Sequence, residues 1–234
     1  MPHCRELMKT TPGKDVFQSL QVITALPSNY RQQATLDLAK SNKAGCGAIV
    51  SGIVLLIAVG WLLVQFTRSL RPTALPGTWF REILIIAPDG ELSGVLPFQL
   101  IVDAVVALVL VMLIHELVHG VFFWLFAGRR PRFGIKGLYV YAAAPLGVYF
   151  PRNQYLIVGI APLGLLTFVG LLLVVIVPVA VVPILMLFIA FNAAGAAGDL
   201  IMAVCLLFYS PDTLMQDSDT GVTIYGPEKS QRAA

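Results

Sequence analysis

Two histidines and a glutamate lie within five consecutive residues, His115-Glu116-Leu117-Val118-His119. Residues four apart lie on the same face of a helix, so both imidazoles could bind one zinc ion. Glu116 stands beside them as a candidate general base for a water that attacks a carbonyl group. The residue types and their spacing therefore predict a zinc site suited to hydrolysis.

The surroundings of this motif are as informative as the motif itself. It lies inside an apolar stretch that runs from about Ile101 to Ala127. An ionisable side chain in hydrocarbon costs roughly 2.5 to 3.5 kcal/mol on insertion scales, so three such groups in one spanning helix require a compensating function.

The composition is typical of a membrane protein, because 57% of the residues are hydrophobic and only 12% are charged. We therefore predict an all-α membrane protein with about four transmembrane helices, and we exclude a soluble domain. Each predicted helix is long enough to span a bilayer of roughly 30 Å. The four segments are approximately 44–66, 101–127, 154–177 and 181–209.

The distribution of lysine and arginine predicts the orientation of these helices. Thirteen of the 16 lie in segments on one side of the predicted membrane and three on the other. The positive-inside rule then places both termini in the cytoplasm, with residues 1–43 as an N-terminal extension and 210–234 as a tail. The net charge of +3 needs no nucleic acid to explain it. We expect a multi-pass protein of an inner or plasma membrane, whose first helix is an uncleaved signal anchor.

A catalytic zinc usually takes three protein ligands, so a third is needed. Asp199, in the fourth predicted helix, lies eleven residues before Ser210, and His115 lies thirteen before Gly128. At about 1.5 Å per residue these positions are roughly 17 and 20 Å from the cytoplasmic ends, which is the same level within one turn. Asp103 lies about three turns from His115 on the same predicted helix, too far to join the ligands, and is interpreted as a boundary residue at the outer interface.

Asn192 is seven residues before Asp199 and shares its face, with Gly195 between them. Its carboxamide could hold the backbone of a substrate, or it could form a hydrogen bond between helices. Gly195 and Gly198 are expected to allow close approach of the helix that carries Asp199.

The loop 131–141 is rich in aromatic and β-branched residues and contains glycines, which predicts a short interfacial or re-entrant β-hairpin. Its edge could align a substrate by strand addition, with Tyr139 and Tyr141 as candidate contacts. The alternative is an interfacial loop anchored by the same tyrosines. Two weaker patterns predict a hairpin within 80–96 and helical periodicity within 30–43.

The intramembrane His-Glu-Leu-Val-His and the later Asn-x-x-Gly-x-x-Gly-Asp helix resemble the zincin peptidase family of integral membrane proteins. More distantly they resemble site-2 proteases, although Asp199 is followed here by Leu200. The resemblance covers roughly 100–225 and includes Asp217 in the tail. It implies intramembrane zinc-dependent peptide hydrolysis, with His115, His119 and Asp199 as ligands and Glu116 as the catalytic base.

We therefore predict an endopeptidase with one Zn²⁺ per chain that acts on membrane-embedded or membrane-proximal protein or peptide. The alternative is a non-hydrolytic membrane protein that uses the same site for metal handling or as a scaffold. Two histidines and a carboxylate also accept other divalent ions.

Overall fold

The computed structural model describes residues 22–36, 42–75, 85–86, 92–93, 98–137, 139–218 and 221–228. Its α-helices are α1 (Asn42–Leu70), α2 (Phe98–Ala127), α3 (Arg152–Ile176), α4 (Val182–Gly195) and α5 (Ala197–Leu207). Its strands are β1 (Tyr30–Leu36), β2 (Ile85–Ile86), β3 (Leu92–Ser93), β4 (Arg132–Lys136), β5 (Tyr139–Ala143), β6 (Phe150–Pro151), β7 (Leu214–Ser218) and β8 (Gly221–Pro227).

Within the described ranges, four helical regions are long and apolar enough to cross a membrane, judged by length and composition. They are Gly45–Leu70, Phe98–Ala127, Arg152–Ile176 and Val179–Leu207. Many of their large apolar side chains are exposed, among them Trp61, Leu125 and Phe168. An exposed apolar surface of this extent suits contact with lipid. The prediction of a mainly α-helical protein with four long apolar helices is confirmed, and the described residues also form eight short strands, more than the one hairpin that the prediction included.

The fourth predicted helix consists of two helices. A 3-10 turn at Val179–Val181 connects α3 to α4, and Ala196, with φ −70° and ψ 0°, separates α4 from α5. The backbone bonds from Ala196 N to Asn192 O and from Leu200 N to Ala196 O keep the two helices nearly continuous. A Cβ added at Gly195 would meet no atom within 4 Å. The expectation that Gly195 permits close helix approach is therefore wrong.

The described residues form two compact units, and α2 and α3 each contribute to both. The first unit includes the described parts of Met1–Lys40, His119–Gly159 and Met202–Ala234. It contains an antiparallel sheet in the order β1-β8-β7-β6. The core beside this sheet is formed by Phe123, Ala144, Val148, Phe150, Val158, Leu206, Met215, Val222 and Ile224.

Residues 30–36 form a strand, so the helical periodicity predicted for 30–43 is wrong for this part, and residues 37–41 lie outside the described residues. In β1, Tyr30 pairs with Pro227 and Leu36 with Val222. Only alternate residues of this polar strand, such as Ala34 and Leu36, pack against the core. Its partner strand is nearly two hundred residues away, and strand formation depends on such pairing more than on local preference.

The second unit includes the described parts of Ser41–Val118 and Ile160–Ile201. Here α1 packs against α4, where a Cβ on Gly52 would lie 3.1 Å from the carbonyl oxygen of Ala194. The Arg71 guanidinium donates to the carbonyl oxygens of Val174 and Val177 at the end of α3. These bonds satisfy carbonyl groups that have no partner within the helix.

Both predicted hairpins are present among the described residues. β4 and β5 form one antiparallel pair, with Arg132 opposite Ala143 and Lys136 opposite Tyr139. β2 and β3 form the other, with Ile85 opposite Ser93. The turn of the second hairpin, residues 87–91, lies outside the described residues.

Candidate metal centre

The His-Glu-His group lies on a single turn of α2. One potential ligand atom from each of His115, Glu116 and His119 lies within 4.8 Å of the others. Both histidines are buried, each with 8% of its surface exposed, and Glu116 is partly exposed. The helical spacing thus brings two nitrogens and a carboxylate together, as the sequence predicts.

Asp199, the third predicted ligand, lies against His115. The distance between His115 Nε2 and Asp199 Oδ2 is 3.1 Å. Asp199 is in the first turn of α5, immediately after the interruption at Ala196. Asp199 therefore lies next to the His-Glu-His group, in contact with His115. This agrees with the prediction that the two residues lie at the same level within one turn.

A second oxygen atom lies near the other ring nitrogen of His115. Its Nδ1 lies 2.9 Å from Oδ1 of Asn192, a residue that is completely buried. The Nδ2 of Asn192 lies 3.3 Å from the carbonyl oxygen of Pro162, which can only accept, so Oδ1 is the atom that faces His115. Accordingly, His115 Nδ1 donates to Asn192 and the imidazole presents Nε2 to Asp199.

This arrangement fits a bound cation. When Nδ1 carries the proton of a neutral imidazole, the lone pair of Nε2 faces a carboxylate oxygen of Asp199 across 3.1 Å. Two acceptors at that distance repel unless a proton or a metal ion is shared between them. A nitrogen and a carboxylate oxygen beside a second histidine form the donor set that zinc prefers in catalytic sites.

His119 is held by the backbone of α3. Its Nδ1 donates to the carbonyl oxygen of Val158 at 2.9 Å, in a buried position. Ligand histidines commonly use one ring nitrogen in this way, which orients the ring and sets the tautomer. Pro162 lies inside α3, four residues after Val158.

Asn192 forms hydrogen bonds between helices. Besides His115, it contacts the carbonyl of Pro162 and, at 3.5 Å, Oγ1 of Thr167. Both ends of its carboxamide have partners in the protein, as the interhelical alternative expects, and a role in holding substrate stays a prediction.

The β4–β5 hairpin lies against the helix turn that carries His119. A Cβ added at Gly120 would be only 2.3 Å from Cζ of Phe133 in β4, so the aromatic ring covers the glycine directly. Within the hairpin, the Tyr141 ring covers Gly134 at a similar distance. The backbone of Tyr139 is in β5, but its side chain lies outside the described part of the structure.

A carboxylate from the C-terminal segment lies close to the hairpin. Asp217 accepts hydrogen bonds from the Tyr155 hydroxyl at 2.6 Å and from the Ala144 amide at 2.9 Å. Burial raises the pKa of Asp217 to about 6, although these bonds and the charge of Arg132 oppose the shift. Arg132 in turn donates to the Ala144 carbonyl. Asp217 therefore anchors the chain just after β5.

Sequence reasoning identified the polar side chains of the centre and missed the backbone that supports them. Val158 carries no chemical signal in its side chain, and its role depends on its carbonyl group. A visible signal was nevertheless present, since a proline inside an apolar helix removes one amide donor. The contact of Tyr155 with Asp217 had no comparable signal.

The chain has no significant match among curated proteins or among solved structures. The predicted resemblance to site-2 proteases therefore stays a prediction. A family model described as "Putative zincin peptidase" matches residues 108–214, so the segment that contains the His-Glu-His group and Asp199 carries the sequence pattern of this family.

Proposed function

We propose that this protein is a zinc-dependent endopeptidase that cuts peptide bonds of membrane-embedded or membrane-proximal substrates. The observation that carries the proposal is the distance of 3.1 Å between His115 Nε2 and Asp199 Oδ2. His115 lies on the same helix turn as Glu116 and His119. The match of this segment to a peptidase family supports it further. His115, His119 and Asp199 would hold the metal.

The metal, when bound, would polarise the scissile carbonyl and lower the pKa of a water. The remaining chemistry belongs to Glu116. Its carboxylate accepts a proton as the water oxygen bonds to the carbonyl carbon, and it delivers that proton to the nitrogen as the carbon–nitrogen bond breaks. The products are a carboxylic acid and an amine, which account for all atoms of the peptide and the water.

The β4–β5 hairpin is the proposed guide for the substrate. In a helix the peptide bonds are shielded by their own hydrogen bonds, so a spanning substrate must be extended before attack. Among the described strands, β4 and β5 pair only with each other. An extended peptide could add to this pair by strand addition close to the turn of His119. Cross-linking a bound peptide from position 141 would test this proposal.

The proposed location is an inner or plasma membrane, with both termini in the cytoplasm. The four apolar helical regions support the membrane location. The excess of basic residues on one side supports the orientation. Reporter domains inserted at 129–130 and at 87–91 would be expected on opposite sides of the membrane.

Replacing the proposed base tests the activity. We expect Glu116→Gln to bind zinc as the wild type does, while cleavage falls by about 10² to 10⁴, since an amide cannot accept the proton. The assay would use the full chain in liposomes with a library of single-span peptides, analysed by mass spectrometry. Asp103→Asn, on the same helix, is the matched control and should leave cleavage unchanged.

Two results would contradict the proposal. Cleavage by Glu116→Gln at the wild-type rate would remove Glu116 from its proposed role. Zinc binding by a wild-type protein that cleaves none of the peptides would favour the alternative, a membrane protein that binds metal without hydrolysis.

A further inference from the structure

Pro162 leaves one carbonyl group of α3 without its usual helical donor. In an α-helix the carbonyl of residue i accepts from the amide of residue i+4. The partner of Val158 is therefore residue 162, and proline has no N–H. The ring of a proline inside a helix also pushes against the carbonyl four residues earlier, which directs that group away from the helix axis.

The donor that replaces the missing amide is a proposed metal ligand. His119 Nδ1 lies 2.9 Å from Val158 O. Both atoms are buried, where a carbonyl without a partner would cost about 1 to 3 kcal/mol. An imidazole that donates from Nδ1 carries its lone pair on Nε2, so this bond selects the tautomer and fixes the ring.

The same turn of α3 supports the other histidine. The carbonyl oxygen of Pro162 accepts from Asn192 Nδ2 at 3.3 Å, and Asn192 Oδ1 accepts from His115 Nδ1. Two carbonyl groups four residues apart in α3 thus orient both histidines of α2. The Val158 carbonyl binds His119 directly, and the Pro162 carbonyl acts on His115 through the carboxamide of Asn192.

We propose that Pro162 is a positioning residue for the metal centre: by lacking an amide hydrogen, it leaves the Val158 carbonyl to His119 and so sets the tautomer of that ligand. The inference rests on the proposed metal-binding role of His119 and makes no use of proteolysis.

The sharpest test compares two replacements that differ in one N–H group. Pro162→Ala returns the amide to the helix, where it competes with His119 for the Val158 carbonyl. Lactic acid introduced at position 162 has the same methyl side chain but an ester oxygen in place of the N–H. Pro183→Ala is the control, because Pro183 lies in the first turn of α4, where an amide has no helical acceptor.

Two measurements on the full-length protein in detergent would be made. The first is zinc affinity by competition with a chelating dye. The second is the ¹⁵N spectrum of histidine side chains in the metal-free protein, which is simple to assign because the chain has 3 histidines. We expect Pro162→Ala to weaken zinc binding by about 10-fold and to shift His119 from the Nδ1–H tautomer toward a mixture.

The ester variant and Pro183→Ala should match the wild type in both measurements. The proposal is overturned when Pro162→Ala retains the wild-type affinity and tautomer, or when the ester variant behaves like Pro162→Ala, which would assign the effect to the ring. A chain that binds zinc in this manner but cleaves no peptide would contradict the proposed function and leave this inference intact.

Discussion

His115 Nε2 and Asp199 Oδ2 lie 3.1 Å apart, although the two residues are 84 positions apart in the chain. Each belongs to a helix of a candidate membrane-spanning region. Ionisable side chains cost free energy in an apolar region, so a histidine and a carboxylate in contact there indicate a functional site.

Removing either partner of this contact should remove the metal. We expect the wild type to contain about one zinc per chain, and His115→Ala and Asp199→Ala to bind zinc more than about 100-fold more weakly, because each loses a proposed ligand. Elemental analysis of the purified protein would measure the content. Asp103→Ala is the matched aspartate control and should retain zinc. Wild-type zinc content in Asp199→Ala would place the third ligand elsewhere, for example at Glu116.

Asn192 should matter for the metal without being a ligand. Asn192→Leu keeps the branched shape of the side chain but removes the oxygen that accepts from His115 Nδ1, so we expect zinc affinity to fall by about 10-fold to 100-fold. Thr167→Val is the control, since it removes only the 3.5 Å contact at the other end of the carboxamide. Titration with zinc and a competing dye would compare the variants. Equal loss in both would show that general packing, and not the contact with His115, is responsible.

Gly120 and Phe133 should be energetically coupled. Gly120→Ala places a methyl group 2.3 Å from the Phe133 ring, and we expect the displaced ring to cost about 1 to 3 kcal/mol of stability. In a Phe133→Ala background the same change should instead stabilise the protein by up to about 1 kcal/mol, because alanine favours a helix over glycine. Unfolding in SDS would supply the double-mutant cycle. Additive effects would argue against the contact between the hairpin and α2.

Asp217 should make stability depend on pH. Its folded-state pKa is raised from 3.8 to about 6, so the folded protein binds the proton more tightly than the unfolded chain does. Its favourable contribution is therefore complete below about pH 4 and is lost as pH rises through about 6, by up to about 3 kcal/mol. Thermal unfolding of the metal-free wild type should show this loss relative to Asp217→Asn. Parallel pH profiles of the two proteins would refute the prediction.

The elements that depend on local pattern are predictable from the amino-acid sequence. Long apolar runs predict the four helical regions, because a helix satisfies its backbone hydrogen bonds within one segment and can therefore lie in an apolar medium. The spacing of His115 and His119 places both on one helix turn for the same geometric reason. The glycine and aromatic pattern after α2 predicts the β4–β5 hairpin, since its strands are adjacent in the chain.

Contacts between groups that are far apart in the chain depend on how the helices and strands pack, and local sequence patterns do not predict them. The strand at Tyr30–Leu36 exists because β8 pairs with it, and its own residues have no strong strand pattern. The interruption at Ala196 and the direction of Asn192 depend on packing between helices. The support of His119 comes from a backbone carbonyl, and every residue has one. A sequence shows where a proline removes a donor, but only the fold shows which side chain takes its place.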